Sequence, residues 1–341
     1  MSAALVQFLF LLLKGVLMSV LIVSMVAFII FFERKFAGFF QARVGPTYLG
    51  PWGSFQSFGD ILKLLSKEDV VPERADKPVF RFAPYIAFVP AFLVMAVLPF
   101  GPVTEDTTFL GYQFDYVIEN LDVGVILMLA MGAIAVYGVV LAGWSSNSNY
   151  SLLGGLRAGA QMISYELAMG FSVVGVVLMA GSLSFVDIVD GQAGNFWNWY
   201  FIPQIVGGLI FFVASLAELN RTPFDLAEGE QELVAGYLTE YSGMRWGMFM
   251  FSEYVNMVVV SGVLATLYFG GWRAPLEVLD FIPGPVWLFL KICVFIFMFM
   301  WIRWTIFRYR YNQLMSIGWK VMLPLAILNL VVTAIVVGVT S

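Results

Sequence analysis

The chain has 341 residues, of which 60% are apolar and only 12% charged, against about 45–50% and roughly 25% in a soluble domain. Histidine is absent, the single cysteine (Cys293) falls inside an apolar run, and the net charge is −5. This composition excludes a water-soluble enzyme, an intrachain disulfide, a cysteine-ligated cluster and a CxxC zinc site, and any proton moved here must travel on carboxylates, lysines, tyrosines or water.

The pattern is that of an all-α, polytopic membrane protein forming a single integral membrane domain over 1–341. Roughly 20 apolar residues cross a bilayer as a helix. Eight stretches qualify, at about 4–32, 79–100, 122–143, 156–180, 201–219, 242–268, 286–304 and 317–338. The first, apolar from Leu5 to Phe32, is longer than the core of a cleavable signal and lacks a basic start and a small-residue cleavage site, so it reads as a retained helix. After it, "RVGPTYLGPWG" (43–53) carries two Gly-Pro pairs that fix a non-helical path. "SFQSFGDILKLLS" (54–66) then places Phe55, Phe58, Leu62 and Leu65 on one helical face, with Asp60, Lys63 and Lys67 mainly off it. That is the pattern of a short amphipathic helix lying in the membrane surface; a plain turn followed by an interfacial anchor is the alternative.

Basic residues set the orientation. The loop after the first helix and the alternate loops on its side hold 15 of the 18 Lys and Arg, whereas the opposite side has only Arg273 and its loops carry acids. The basic side is therefore expected to be cytoplasmic and both termini periplasmic. "NFWNWYF" (195–201) matches an aromatic belt at the outer interface. Lys14 and Lys291 lie within apolar helices toward the outer half, where long side chains snorkel.

Two acids fall at membrane depth. Glu166 follows Arg157 by nine residues and Glu253 follows Arg245 by eight, so each lies about 12–13 Å along its helix from the basic side. Acids at such depth cost about 2.5–3.5 kcal/mol to insert and face a bundle interior or a wet cavity; a structural carboxylate paired to a neighbouring helix is the alternative. The connection "ELNRTPFDLAEGEQELVAGYLTEY" (218–241) adds Glu218, Asp225, Glu228, Glu230, Glu232 and Glu240, with Arg221 as its one arginine. An acidic run on an inner face, where anionic lipid repels it, fits a line of protonatable groups better than a solvated loop. No Walker A loop, GxGxxG, HExxH or metal-spacing cluster is present, so no flavin, iron–sulfur cluster or metal is expected in this chain.

Four stretches, "ERKFAGFFQARVGPTYLGPWGSFQSFGDILKLLSKED" (33–69), "GWSSNSNYSLLGGLRAGAQMISYELAMG" (143–170), "AELNRTPFDLAEGEQELVAGYLTEY" (217–241) and "WIRWTIFRYRYNQLMSIGWKVMLP" (301–324), closely resemble the membrane subunit at the quinone end of respiratory complex I, the NuoH family of bacteria. The resemblance implies a bacterial inner-membrane subunit of an H+-translocating NADH:ubiquinone reductase. Such a subunit has no redox centre, anchors the peripheral arm, and forms the membrane part of a ubiquinone chamber. It implies as partners the peripheral-arm quinone-site and iron–sulfur subunits, small membrane subunits, antiporter-like subunits and lipid, with no nucleic acid. It assigns Arg34, Lys35, Gln41, Arg43, Phe58, Asp60, Lys63, Tyr254, Arg303 and Arg308 to the chamber. Glu166, Glu218, Asp225, Glu228, Glu230, Glu232 and Glu253 fall on a proton path, and Arg221 orients the acidic loop by pairing with one or more of its acids. The equivalent subunit of a membrane-bound hydrogenase and an independent proton or ion transporter are the competing readings; the chain lacks the inverted repeat expected of the latter.

Overall fold

The computed structural model describes residues 3–102, 108–109, 112–113, 117–118, 120–226 and 233–340. Its helices in chain order are α1 (Ala3–Phe40), α2 (Gln56–Ser66), α3 (Lys77–Val97), α4 (Gly124–Ser145), α5 (Asn149–Ala180), α6 (Phe185–Asp190), α7 (Ile205–Glu218), α8 (Gly243–Tyr268), α9 (Gly284–Thr305), α10 (Tyr311–Ile317) and α11 (Leu323–Thr340). Thr108–Phe109 pairs antiparallel with Tyr112–Gln113; the other regular elements among the described residues are helical. Among the described residues, seven helical stretches are long and apolar enough to cross a membrane, and α7 is a shorter apolar helix of 14 residues.

Three departures from the sequence expectations have physical causes. First, α1 continues past Phe32 to Phe40. Nothing in "ERKFAGFF" stops a helix; it ends only where Ala42 turns left-handed (φ 50°) and the Arg43 amide bonds back to the Gly38 carbonyl at 2.9 Å. Arg34 and Lys35 are thus helical residues, not loop residues. Second, α7 begins four residues later than the apolar stretch that contains it, because Pro203 and Gln204 lie in a turn. That turn is held by protein: the Phe201 amide bonds the Tyr268 carbonyl at 2.9 Å, and the Gln204 side chain bonds Thr333 Oγ1 at 2.5 Å and Asn329 at 2.6 Å on α11. Non-helical backbone is tolerated near a bilayer where protein satisfies it in this way. Third, α10 and α11 are joined by a π turn over Gly318–Met322. Pro324 has no N–H and its ring crowds the carbonyl four residues back, and widening the preceding turn accommodates both, with the Leu323 amide reaching the Gly318 carbonyl.

A second proline shows the same logic. Pro84 within α3 leaves the Phe80 carbonyl without its helical donor, and the Tyr241 hydroxyl supplies one at 3.2 Å. The Tyr241 ring lies flat on Phe80, with centroids 4.0 Å apart and planes 3° apart. Burial pushes the Tyr241 phenol up to about 12, so it remains a donor throughout the physiological range.

Helix α5 is the central post, packed against α4, α7 and α11, while α8 packs against α3 and α9. Small residues bring helices close, as is usual between membrane helices: a side chain at Gly138 on α4 would begin 2.8 Å from the Ala87 Cα of α3. The larger apolar cluster lies among α1, α5, α7, α8 and α9, and a smaller one around Phe80, Tyr237, Tyr241 and Phe249 covers the end of the bundle nearest the basic loops.

Candidate functional site

The site is built around a residue that lies on a periodic stripe. Ile22, Val26, Ile29, Glu33 and Ala37 recur at helical spacing along α1 and are all buried. Glu33 therefore falls on the inward stripe of α1, whereas Arg34 does not. The Glu33 carboxylate accepts from Arg221 Nη1 at 2.8 Å and from Arg303 Nη1 at the end of α9, and the Tyr254 hydroxyl lies against it. Arg221 is 3% exposed at its side chain and Arg303 33%. Burial is the largest single influence and opposes the Arg221 charge, but Glu33, Tyr254 and Glu253 together outweigh it and hold the guanidinium above its ordinary value. The Arg221 guanidinium also lies 4.5 Å over the Tyr254 ring, a favourable cation–π geometry. The partner of Arg221 in the structure is thus Glu33 on α1, where the sequence expectation had an acid of its own loop.

This joint forms one wall of an open cavity of about 530 Å³, whose lining includes Glu33, Arg34, Arg43, Gln56, Tyr254 and Arg303. The volume is within the usual range for a small-molecule site, about 300–1,000 Å³. Of the residues assigned to a chamber from sequence, Arg34, Arg43, Tyr254 and Arg303 line this cavity. Asp60 stands just behind, ion-paired to Arg34 and 3.8 Å from Lys63. Lys35 ties α1 to the following loop through the Pro46 carbonyl at 2.6 Å. Gln41, Phe58 and Arg308 are not on the lining; Phe58 is exposed on the apolar face of α2 beside Phe55. The segment carrying Arg308 is fixed by the Tyr309 amide on the Pro223 carbonyl at 3.2 Å.

Glu166, Glu218 and Glu253 line two adjoining small cavities. A side chain at Gly132 on α4 would begin 3.4 Å from a Glu218 oxygen and 3.7 Å from a Glu166 oxygen. The two acids share a cavity of about 40 Å³ with Asn256. A second cavity of about 30 Å³ is lined by Glu218, Asn256 and Glu253 together. Tyr237 donates to Glu253 at 3.4 Å, and Glu253 adds its charge to the field on Arg221. The Glu218 Oε2 atom is buried and has no hydrogen-bond partner among the described residues.

Gln161, fully buried on α5, fixes the start of the acidic connection: its amide donates to the Ala217 carbonyl at 2.8 Å, the Phe224 carbonyl at 2.7 Å and Asn220 at 3.3 Å. Asp225 lies in this stretch, half-buried. Glu228, Glu230 and Glu232 fall outside the described residues. Glu33, Asn256, Tyr237 and Gln161 are positions of this candidate site that the sequence reading does not single out. Glu33 has a periodic signal; the three uncharged residues offer only their place among apolar neighbours.

Lys291 on α9 is also corrected. It does not snorkel outward but is buried, and it donates to the carbonyls of Phe269, Gly271 and Arg273 at 2.6, 2.8 and 2.8 Å, with its ammonium 4.5 Å over Trp199. It closes the chain past the end of α8, a structural use of charge.

Comparison with known proteins decides the family. Residues 13–334 match the model of the family described as "NADH dehydrogenase". A curated relative from Brevibacillus brevis, the H subunit of its NADH-quinone oxidoreductase, is 48% identical over 324 residues, spanning 95% of this chain and 92% of that protein. The chain belongs to the NuoH family. It is accordingly a multi-pass membrane subunit of complex I, the respiratory enzyme that oxidises NADH with a quinone. Among the described residues no group of three or more Cys, Asp or Glu could hold a metal ion.

Proposed function

We propose that this NuoH-family subunit forms the membrane wall of the ubiquinone chamber and links the state of that chamber to a chain of carboxylates that carries protons. One observation carries the reading. Arg221 is buried between the cavity wall, through Glu33 and Tyr254, and the carboxylate cluster, through Glu253 and the connection that begins at Glu218. A quinone headgroup in the 530 Å³ cavity would meet Arg34, Arg43 and Arg303 as donors, and Val44 and Ala37 as apolar walls. Reduction to quinol takes up two electrons and two protons; the headgroup stays neutral, and protons drawn from groups at the chamber wall change the charge beside Glu33 and Arg303. A buried ion pair responds strongly to such a change because its charges are poorly screened. Redistribution of the Arg221 field between Glu33 and Glu253 then alters proton binding at Glu253, Glu218 and Glu166, and onward at the antiporter-like subunits.

In the same reading the basic loops face the cytoplasm of a bacterial cell and both termini the periplasm. The exposed apolar face of α2 rests in lipid, and the basic face docks the quinone-site and iron–sulfur subunits of the peripheral arm. The test is Glu218→Gln in the assembled enzyme, which should assemble normally and lose most NADH–quinone turnover and proton pumping. Wild-type turnover with wild-type pumping would remove Glu218 from the path.

A further inference from the structure

The two small cavities beside Glu218 share three lining residues, Ala135, Glu218 and Asn256. We propose that Asn256 is the positioning residue of the proton path: its amide holds the water that joins Glu218 to Glu166 on one side and to Glu253 on the other. The inference rests on the acidic path proposed above and adds to it a group that cannot itself ionise.

Asn256 lies three residues after Glu253 on α8, so the two side chains share a helix face one turn apart. Asn256 is half-buried; its helix neighbours Val255, Met257, Val258 and Val259 are buried, and it lines both cavities. A half-buried amide gains from a bonding partner, and no protein group among the described residues bonds it. Its neighbour Ser252 is already committed to the Ala87 carbonyl at 2.8 Å. The Glu218 Oε2 atom is likewise buried without a protein partner among the described residues. A buried, unpartnered carboxylate oxygen and a half-buried amide without a protein partner thus line the same space. Cavities of about 40 and 30 Å³ are each large enough for at least one water, which needs roughly 10–15 Å³ and two to four polar partners. An amide donates through its nitrogen and accepts through its oxygen, so it can anchor a water whichever way that water is turned by a protonated or ionised carboxylate. Gly132 completes the arrangement, since any side chain there would begin between Glu166 and Glu218.

The experiment uses the whole enzyme in proteoliposomes with three variants: Asn256→Leu, Asn256→Ser and Glu218→Gln. Leucine keeps the volume and removes both bonding functions; it should lower turnover and pumping tenfold or more while the KM for quinone is unchanged. Serine keeps a hydroxyl and leaves room for a further water, and should restore at least half of the lost rate. If leucine blocks assembly, Asn256→Val serves the same comparison. Full turnover with full pumping in the leucine variant overturns the proposal, as does a serine variant as impaired as the leucine one, which would mark a packing role. An impaired Glu218→Gln beside a normal Asn256→Leu removes Asn256 alone; a normal Glu218→Gln removes the path and this inference with it.

Discussion

Glu33→Gln is the sharpest test of the joint between chamber and path. The carboxylate is 5% exposed and Arg221 only 3%, at 2.8 Å, so solvent screens little of their interaction. Charge centres about 4 Å apart at an effective dielectric of about 20 attract by about 4 kcal/mol. That agrees with the about 3–5 kcal/mol lost when one partner of a buried pair is removed. Glutamine keeps a carbonyl acceptor for one guanidinium, so the lower end, about 3 kcal/mol, is expected. The Arg303 bond adds less, because that side chain is one-third exposed. If the pair is broken in the unfolding transition state, about 3 kcal/mol is roughly a hundredfold in rate. The assay is thermal inactivation of NADH–quinone turnover in the assembled enzyme, run as a cycle of Glu33→Gln, Arg221→Met and the double variant. The double variant should be less damaged than the sum of the singles, with a coupling of about 2 kcal/mol or more. Wild-type inactivation in Glu33→Gln, or singles that add within about 0.5 kcal/mol, would refute the buried-pair account.

Tyr241→Phe leaves the Phe80 carbonyl of α3 without a donor; the assembled enzyme should lose about 1–2 kcal/mol of stability, read as a lowered inactivation temperature with turnover unchanged beforehand. Lys291→Met keeps the apolar stem and orphans three carbonyls, so a loss of about 2–3 kcal/mol is expected in the same measurement, with the quinone KM unmoved. Arg34→Ala removes a cavity-lining cation and releases Asp60; a quinone-site inhibitor should bind about tenfold more weakly, in keeping with about 1.4 kcal/mol for one charge-assisted contact at a partly exposed site.

Much of the architecture is legible in the amino-acid order, and for definable reasons. Glu166 and Glu253 stand out because an acid inside an apolar stretch has few places to go, and the structure does bring both to Glu218. The amphipathic spacing of 54–66 survives as α2. Glu33 is harder to see because it follows Phe32, where hydropathy falls, and falling hydropathy reads as the end of a helix. Carrying the 22, 26, 29, 33, 37 stripe forward puts it inside. Asn256 and Gln161 are illegible for a different reason: an uncharged amide costs too little to stand out, and only the geometry of facing cavities or carbonyls gives it a role. The late start of α7 is hidden because Gln204 is satisfied by Thr333 and Asn329, residues more than a hundred positions away.

The Glu33 joint also constrains how this sequence can change over generations. One carboxylate serves two guanidiniums from distant parts of the chain, the connection after α7 and the end of α9. Losing the acid strands two cations at once. Losing the buried arginine leaves the acid leaning on a half-wet one. Each single step therefore costs stability, and a neutral drift through this triangle requires two or three changes to arrive together. Positions tied in this way change in concert or hardly at all, so the three should be inherited as a set wherever the architecture is retained.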